Sequence, residues 1–236
     1  MINRFIYGAF ATFLTLSVIA ISGCECVPDI TTPKEITPEN SSFVRIINAL
    51  PDHPEIELES NDIKINTIAF YSGSDSSLYQ KFHAGNSFIR IKSVTRNQVI
   101  ANQAYLLIKD KRYTLISFGR GSLALTTLIE DELQALQTGT SGIRLLNFTD
   151  GMSDLTFSLT GLNNHEQSIA YSSYSEFIKI QSGDYLAKIR DGIGNEIASE
   201  NIKIAPGINY DLISKGYISG TTKNTSLQLI AIKNPN

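Results

Sequence analysis

Residue types that build catalytic sites, metal sites or disulfide frameworks are scarce in this sequence. Its 236 residues include no tryptophan, two cysteines and three histidines, and 18% of them are charged. Both cysteines, Cys24 and Cys26, lie near the N-terminus, so disulfide bonds cannot hold the remaining chain together. The formal net charge is -3 and no basic cluster occurs. This argues against a nucleic-acid partner, because such binding depends on lysine and arginine.

The few residues that could support chemistry are not spaced for it. The three histidines (His53, His83 and His165) lack the spacing of metal ligands. His53 adjoins a proline-containing turn and His165 lies in a polar loop, so both are predicted to be exposed to solvent. No nucleophile elbow of the Gly-x-Ser-x-Gly type occurs. The sequence therefore predicts no catalytic residue, no metal site and no cofactor.

Three glutamates alternate with apolar residues in the stretch Glu55-Ile56-Glu57-Leu58-Glu59. Strict alternation predicts a strand with the isoleucine and the leucine in a core and the three glutamates in solvent. Such a row of carboxylates could bind a divalent cation weakly. A solvated strand is the favoured interpretation, because charged side chains commonly protect strands from unwanted pairing.

The first 24 residues have the parts of a bacterial export signal. Arg4 is the only charge before an apolar run that ends at Ile21, and two small residues then precede Cys24. The stretch Ile21–Cys24 resembles the lipobox of bacterial lipoproteins. This resemblance implies cleavage before Cys24, attachment of lipid to that cysteine, and membrane association through the lipid. The alternative is an uncleaved transmembrane anchor, since the apolar run is borderline in length for spanning a bilayer.

We therefore predict a lipoprotein signal peptide over residues 1–23 and a flexible tether over residues 24–42. Prolines and small polar residues in the tether disfavour both helix and sheet. Cys26 is interpreted as an incidental residue of the tether. The expected location is the cell envelope, and the outer membrane or the cell surface is favoured over the inner membrane.

Residues 43–236 show short strand patterns separated by turns. In Phe88-Ile89-Arg90-Ile91-Lys92, for example, the two isoleucines would face a core and the basic residues would face solvent. Seven or so such strands in residues 43–137, with turns between them, predict an all-β sandwich or barrel. We predict two tandem antiparallel β-sandwich domains, Ig-like or transthyretin-like, over residues 43–137 and 142–236. Glu130–Gln137 is predicted to form one or two helical turns as the connection.

A repeat with a period of about one hundred residues supports the two-domain interpretation. Both copies open with an apolar residue, an arginine, two aliphatic residues and an asparagine. Further matches follow in the same order along the chain. The clearest are Phe43–Pro51 with Gly142–Thr149, Ile68-Ala69 with Ile169-Ala170, Gly85 with Gly183, and Tyr113–Gly119 with Tyr210–Gly216.

The order of these motifs resembles the bacterial extracytoplasmic family called domain of unknown function 4397. That family's pattern runs His-Ala-Ser-Pro-Asp-Ala-Pro, then an Ala-Gly turn, then a Tyr-Thr-Val strand. Here Asn48–Pro54 departs from the first motif at its first, third and sixth positions. The match spans residues 43–131 well and 142–232 loosely. The resemblance implies a surface or secreted β-sandwich, often in tandem, and it implies no catalytic residue.

The predicted function is a non-enzymatic binding or adhesion lipoprotein of the cell envelope. The alternatives are a structural or accessory subunit of an outer-membrane complex and an enzyme with an unrecognised site. A glycan or a protein is the expected ligand, because tyrosines near loop tips can stack on sugar rings or anchor a protein partner. Packing within the core or at its rim is the alternative role for these tyrosines. The candidates are Tyr71, Tyr79, Tyr171 and Tyr174.

Overall fold

The computed structural model describes residues 40–69, 78–121, 123–219 and 226–234, which contain 17 β-strands and no α-helix. The first eight strands are β1 (Ser41–Asn48), β2 (Glu55–Ser60), β3 (Ile63–Ala69), β4 (Gln80–His83), β5 (Gly85–Ser93), β6 (Gln98–Leu107), β7 (Arg112–Arg120) and β8 (Leu123–Glu130). The other nine are β9 (Thr140–Asp150), β10 (Asp154–Thr160), β11 (His165–Ala170), β12 (Ser173–Tyr174), β13 (Ile178–Gln181), β14 (Gly183–Arg190), β15 (Glu196–Ile204), β16 (Asn209–Tyr217) and β17 (Gln228–Asn234). The predicted all-β fold is confirmed.

Alternation of apolar and polar residues gives the strands their buried faces. On β5 the two isoleucines are buried, whereas Arg90 and Lys92 lie on the outer face, as predicted. β2 buries its isoleucine and leucine in the same way, but Glu59 is only 6% exposed. The prediction of a fully solvated glutamate row is wrong at this position, because Arg90 and Lys92 both pair with Glu59.

Each half of the described chain contributes two sheets. In the first half the strand orders are β4-β1-β7-β8 and β3-β2-β5-β6. In the second half they are β12-β9-β16-β17, with β13 also on β9, and β11-β10-β14-β15. The second half therefore repeats the strand order of the first. We call the two pairs of sheets the first and the second sandwich.

Both sandwiches depart from a purely antiparallel arrangement at the same place. β1 runs parallel to β7, with Arg45 opposite Thr114, and β9 runs parallel to β16, with Arg144 opposite Asp211. The other strand pairs in these sheets are antiparallel. In each of these two sheets, the central pair of strands therefore comes from segments that lie far apart in sequence. Because the two strands are parallel, their C-terminal ends lie at the same edge of the sandwich.

The repeat seen in the sequence maps onto equivalent places in the two sandwiches. Ile68 on β3 pairs with Ile56, and Ile169 on β11 pairs with Leu155 on the equivalent strand β10. The glycines that begin β5 and β14, Gly85 and Gly183, both have positive φ values, of 108° and 155°. A side chain rarely adopts this conformation, which explains why glycine recurs at this turn.

Apolar side chains form one core inside each sandwich and a third cluster where the sandwiches meet, which we call the seam. Neighbouring residues of the central strands point to different cores. Ile46 belongs to the core of the first sandwich and Ile47 to the seam, while Leu145 belongs to the second core and Leu146 to the seam. Because side chains alternate along a strand, β1 and β9 are buried on both faces.

The connection between the sandwiches is extended. Glu130 is the last residue of β8, and residues 131–137 form no helix, so the predicted helical turns are absent. Hydrogen bonds to distant parts of the chain explain this difference: the Asp131 N–H donates to the Arg112 carbonyl on β7, and the Gln134 side-chain amide donates to the Phe177 carbonyl just before β13. Tertiary hydrogen bonds here override the local helical tendency.

The described residues from Asn40 onward fall within one compact unit. The domain bounds at 43–137 and 142–236 stay a prediction. The predicted signal peptide (residues 1–23) and almost all of the predicted tether (residues 24–42) lie outside the described residues. Within those described residues, no helix is long and apolar enough to cross a membrane.

Candidate ligand-binding site

The tyrosines predicted to bind ligand do not gather at one place. Tyr79 lies just before β4, at the edge of the first sandwich, whereas Tyr171 and Tyr174 lie between β11 and the end of β12 in the second. Tyr174 is 42% exposed, and Tyr171 is half-buried against the seam. Tyr71 lies outside the described residues, as does the predicted lipidation site Cys24. The ligand-binding roles of the four tyrosines stay predictions.

Tyr79 belongs to a buried polar network. Its hydroxyl lies 2.7 Å from Asp131 Oδ2 and 3.1 Å from Asn234 Oδ1, and its ring lies 5.9 Å from the Arg45 guanidinium and 5.4 Å from that of Arg112. Burial and the charge of Asp131 raise the pKa of Tyr79 above its ordinary value. The tyrosine therefore stays neutral, and its hydroxyl is occupied by contacts within the fold.

The centre of this network consists of two arginines and two aspartates, one arginine from each sandwich. Arg144 Nε lies 2.7 Å from Asp211 Oδ1, and Arg144 Nη2 lies 2.8 Å from Asp131 Oδ1. Arg45 Nη2 is also paired with Asp211. These four side chains are at most 3% exposed. Since the two positive and two negative charges balance, the network joins the sandwiches without leaving a buried net charge.

Burial and charge pairing compete at these groups. Burial opposes the negative charge of Asp211, but Arg45 and Arg144 outweigh it and hold the pKa of Asp211 below its ordinary value. Burial likewise opposes the positive charge of Arg144, and Asp211 and Asp131 outweigh it and raise the pKa of Arg144. Asp211 and Arg144 therefore stay charged. The paired charges thus connect residues of both sandwiches.

The sequence contains one indication of this network: two arginines that the apolar pattern of their strands does not explain. Arg45 and Arg144 occupy equivalent positions in two aliphatic strands, where a charged residue is unusual. The repeat identified both arginines, but Asp211 lies 166 positions after Arg45. Only the fold brings these residues together.

A second group, which we call the seam cluster, lies at the ends of the central strands and consists of Arg120, Asp150, Tyr171 and Tyr217. Arg120 is the last residue of β7, Asp150 of β9 and Tyr217 of β16. Arg120 Nε lies 2.6 Å from Asp150 Oδ2, and its guanidinium lies 4.2 Å from the centre of the Tyr217 ring. The Tyr171 ring packs edge-on against Phe118, with 6.0 Å between ring centres.

The seam cluster reaches the surface. The Arg120 side chain is 55% exposed and the Asp150 side chain 24% exposed. Burial and the charge of Asp150 raise the pKa of Tyr171, and burial and the neighbouring Asp52 raise the pKa of Tyr217. Both tyrosines therefore stay neutral at physiological pH. Arg120 comes from the first sandwich and the other three residues from the second, so the cluster exists only where the sandwiches meet.

The turn that follows β1, residues 51–54, contacts Gly121, which is next to Arg120 of the seam cluster. Asp52 Oδ2 accepts a hydrogen bond of 2.8 Å from the Gly121 N–H, and His53 Nε2 lies 2.7 Å from the Gly121 carbonyl oxygen. His53 is fully buried. The predicted exposure of this histidine is wrong, because the proline-containing turn folds under the β7–β8 hairpin. His165 is half-buried, which also differs from the prediction.

Lys215 lies close by on β16 and is buried in the seam. Its Nζ donates to the Asn48 carbonyl at 3.2 Å, and burial lowers the pKa of Lys215 to about 7.

In the part of the chain that the structure describes, no three His, Cys, Asp or Glu side chains are placed to hold a metal ion.

Residues 42–158 match the family model described as "Domain of unknown function (DUF4397)". This segment belongs to the DUF4397 family. The family resemblance inferred from the motifs is thereby confirmed. The matched DUF4397 segment includes the first sandwich except Ser41, all of β9 and most of β10. It therefore supplies Arg120 and Asp150 of the seam cluster, whereas Tyr171 and Tyr217 lie beyond it.

Two solved structures show distant similarity to the chain. The family 26 carbohydrate-binding module of Amy13K from Eubacterium rectale, solved with maltoheptaose, covers 83% of this chain and 98% of its own, at 10% identity and a TM-score of 0.28. A leucine-rich repeat protein from Bacteroides thetaiotaomicron covers 75% of this chain and 26% of its own, at 10% identity and a TM-score of 0.18. At these values neither similarity indicates what the chain binds. No curated protein sequence matches the chain.

Proposed function

We propose that this chain is a non-enzymatic binding lipoprotein of the cell envelope, attached to lipid through Cys24, with the seam cluster as its ligand site. One observation carries the binding role: where the sandwiches meet, the seam cluster places exposed Arg120, at the end of β7, beside half-buried Tyr171, in the turn between β11 and β12. A rigid site loses little conformational freedom when a ligand binds, which favours affinity.

The seam cluster has the chemistry of recognition. Arg120 and Asp150 are paired with each other, so neither is poised as a free acid or base. Tyr171 and Tyr217 keep their protons because their pKa values are raised. An exposed Arg–Asp pair offers planar hydrogen-bond donors and acceptors, and a tyrosine ring adds an apolar surface. This combination suits the hydroxyl groups of a glycan or the backbone of a protein.

The binding role is tested with the full-length chain in mild detergent on arrays of glycans and of purified surface proteins. Tyr171→Ala is expected to weaken the strongest interaction at least about tenfold, the loss typical of an important interface residue. Tyr174→Ala, on β12 three residues after Tyr171, measures how far the site extends. Leu162→Ala, at a 66% exposed site in another loop, is the control.

Two outcomes would contradict a ligand site at the seam cluster. The first is an interaction that Tyr171→Ala and Arg120→Ala leave unchanged in correctly folded protein. The second is a chain that binds nothing on the arrays but copurifies with a membrane protein complex, which would support the accessory-subunit alternative.

Lipid attachment has its own test. Cys24→Ser is expected to abolish incorporation of labelled fatty acid and retention in the membrane fraction, because the lipid anchor requires this cysteine. Cys26→Ser, two residues away, is the matched control and should be labelled normally. Normal labelling of the Cys24→Ser protein would refute the anchor.

A further inference from the structure

The outer face of the sheet β3-β2-β5-β6 carries a surface depression of about 310 Å3 around an exposed aromatic ring. The depression is lined by Asn61, Asp62, Phe88, Arg90 and Asn102, which we call the platform. Phe88 is 59% exposed. The volume lies at the lower end of the range found for small-molecule sites. The platform is separate from the seam cluster, which involves none of these residues.

The backbone of Phe88 is fixed on both sides. Its N–H donates to Asn61 Oδ1 and its carbonyl accepts from the Asn61 N–H, both at 2.9 Å, and on the other side it pairs with Ala104 on β6. Asn61 and Asp62 form the tight turn between β2 and β3 and have positive φ values of 49° and 65°. The ring is therefore mounted on a rigid part of the sheet.

The charges around the depression are paired with one another, whereas Glu55, on the same face, lies at the other end of β2. Arg90 Nη1 lies 2.9 Å from Glu59 Oε2 and 2.7 Å from Asp62 Oδ1. Two lysines on the same face are paired with glutamates, so three positive charges meet three negative ones. These further pairs are Lys92 with Glu59 and Lys64 with Glu57.

This charge balance selects the kind of ligand. A charged ligand would have to separate an existing ion pair, whereas a neutral one can use the hydrogen-bonding capacity that the pairs leave over. Arg90 has five N–H donors, and the carboxylate of Asp62 is 80% exposed. Asn61 and Asn102 supply amide groups at the rim of the depression.

The second sandwich lacks this arrangement at the equivalent positions. The registers of β5 with β2 and of β14 with β10 place Leu186 where the first sandwich has Phe88, and Ser158 where it has Glu59. The same strand order forms without the aromatic ring and without the carboxylate. The fold therefore does not require the platform.

We propose that the platform binds a pyranose ring of a neutral glycan. The apolar C–H face of the sugar packs on Phe88, and its hydroxyl groups exchange hydrogen bonds with Asn61, Asp62, Arg90 and Asn102. An aromatic ring surrounded by planar polar groups suits such a ligand, because a sugar has an apolar face and a polar edge. The platform is a second ligand site, in addition to the seam cluster.

The test measures binding of the full-length chain in detergent to soluble neutral hexose and pentose oligosaccharides, by calorimetry or an array. Phe88→Ala is expected to reduce affinity for the best neutral oligosaccharide at least about tenfold, as truncation of a central contact residue does. Phe88→Tyr keeps the ring and should retain binding. Leu186→Ala, at the equivalent position of the second sandwich, is the matched control and should bind as the unchanged chain does.

The outcomes separate this proposal from the seam cluster. Neutral-glycan binding that is lost in Phe88→Ala and kept in Tyr171→Ala supports the platform. Binding that is kept in Phe88→Ala and lost in Tyr171→Ala assigns the glycan to the seam cluster and overturns the platform. Failure of every neutral oligosaccharide to bind, or a clear preference for sulfated or acidic glycans, would also overturn it. Since Phe88 is exposed, an unchanged melting temperature should confirm that Phe88→Ala folds.

Discussion

The two sandwiches make the same hydrogen bonds at some equivalent positions. The Tyr113 hydroxyl accepts the Ile108 N–H at 3.1 Å, and the Tyr210 hydroxyl accepts the Ala205 N–H at 3.0 Å, in both cases from five residues earlier. The asparagines that follow the paired aliphatics repeat a local contact as well. Asn48 Oδ1 accepts the N–H two residues later, and so does the side chain of Asn147. Shared contacts of this kind mark what one sandwich needs in order to fold.

Other equivalent positions differ, and the differences lie where the sandwiches meet or face outward. Thr114 on β7 corresponds to Asp211 on β16, since each lies opposite the repeated arginine. Asp131 contributes the second carboxylate, from the connection that follows β8. The two halves of the chain thus hold different residues at these positions, and the network has two carboxylates for its two arginines.

The largest expected effect comes from making the Thr114 and Asp211 positions alike. Asp211→Thr leaves Arg45 and Arg144 buried with one carboxylate between them. Breaking a buried ion pair costs about 3–5 kcal/mol, so the free energy of unfolding should fall by that amount. Thr114→Val removes a hydroxyl that accepts from Arg45 Nε at 2.8 Å and should cost only about 1–3 kcal/mol. Urea denaturation at pH 7 measures both.

The pH dependence of the free energy of unfolding provides a control for this comparison. The pKa of Asp211 is held below its ordinary value of 3.8, so its contribution to stability is full above that pH and is lost as the pH falls through the folded-state pKa. The stability difference between the unchanged chain and Asp211→Asn should therefore narrow below about pH 3.8. Equal losses for Asp211→Thr and Thr114→Val, or a difference that does not depend on acid, would show that the network does not hold the sandwiches together.

The next comparison concerns Phe118 and Lys215, which occupy equivalent positions of β7 and β16. Folding buries Lys215 and lowers its pKa from 10.5 to about 7. Lys215→Met should therefore raise the free energy of unfolding at pH 7, by about 1–4 kcal/mol, the range seen when apolar residues replace buried ionic groups. Guanidinium denaturation of both proteins at pH 7 provides the measurement.

The pH dependence identifies the cause. Between pH 7 and pH 10.5 the unfolded chain holds a proton on Lys215 that the folded chain has released, so the stability of the unchanged protein should rise with pH. The advantage of Lys215→Met should shrink over the same interval. Phe118→Leu, at the equivalent position, serves as the control and should show no such pH dependence. A constant advantage from pH 7 to pH 10 would mean that the gain comes from packing alone.

How much of this structure the sequence predicted depends on the distance between interacting residues. Local alternation predicted the inward faces of β2 and β5, and the repeat located equivalent residues in both halves. Burial on both faces of β7 could not be predicted in this way, because a strand covered on two sides has a continuous apolar pattern without alternation. The apolar pattern of β7 therefore does not predict the seam.

Single residues show the same limit. The prolines beside His53 indicated an exposed turn, but the carbonyl that His53 contacts lies 68 positions later. Tyr79 follows a polar stretch and was a reasonable candidate for a surface tyrosine, yet its hydroxyl meets Asn234, 155 positions away. Of the candidate sites, only Tyr171 both came from the sequence and lies in the seam cluster. Its neighbours Arg120 and Asp150 could be identified only from the fold.

The smallest expected effect concerns the contact between β6 and β8 in the first sandwich and the equivalent contact between β15 and β17 in the second. In the first sandwich the Tyr105 hydroxyl on β6 donates to Thr126 Oγ1 on β8 at 2.7 Å. In the second, Ile202 and Leu229 occupy the equivalent positions, and a depression of about 420 Å3 lies between β15 and β17. The hydrogen bond thus joins two sheet edges of the first sandwich at a place where the second sandwich has two apolar side chains of its core.

Tyr105→Phe removes this bond and keeps the ring, so it should lower the free energy of unfolding by about 0.5–1.5 kcal/mol. Thr126→Val should cost a similar amount. The double variant should lose about as much as either single one, because both changes remove the same contact. Urea denaturation of the four proteins gives the coupling directly. Additive losses would mean that Tyr105 and Thr126 stabilise the first sandwich independently, and would contradict a stabilising contact between them.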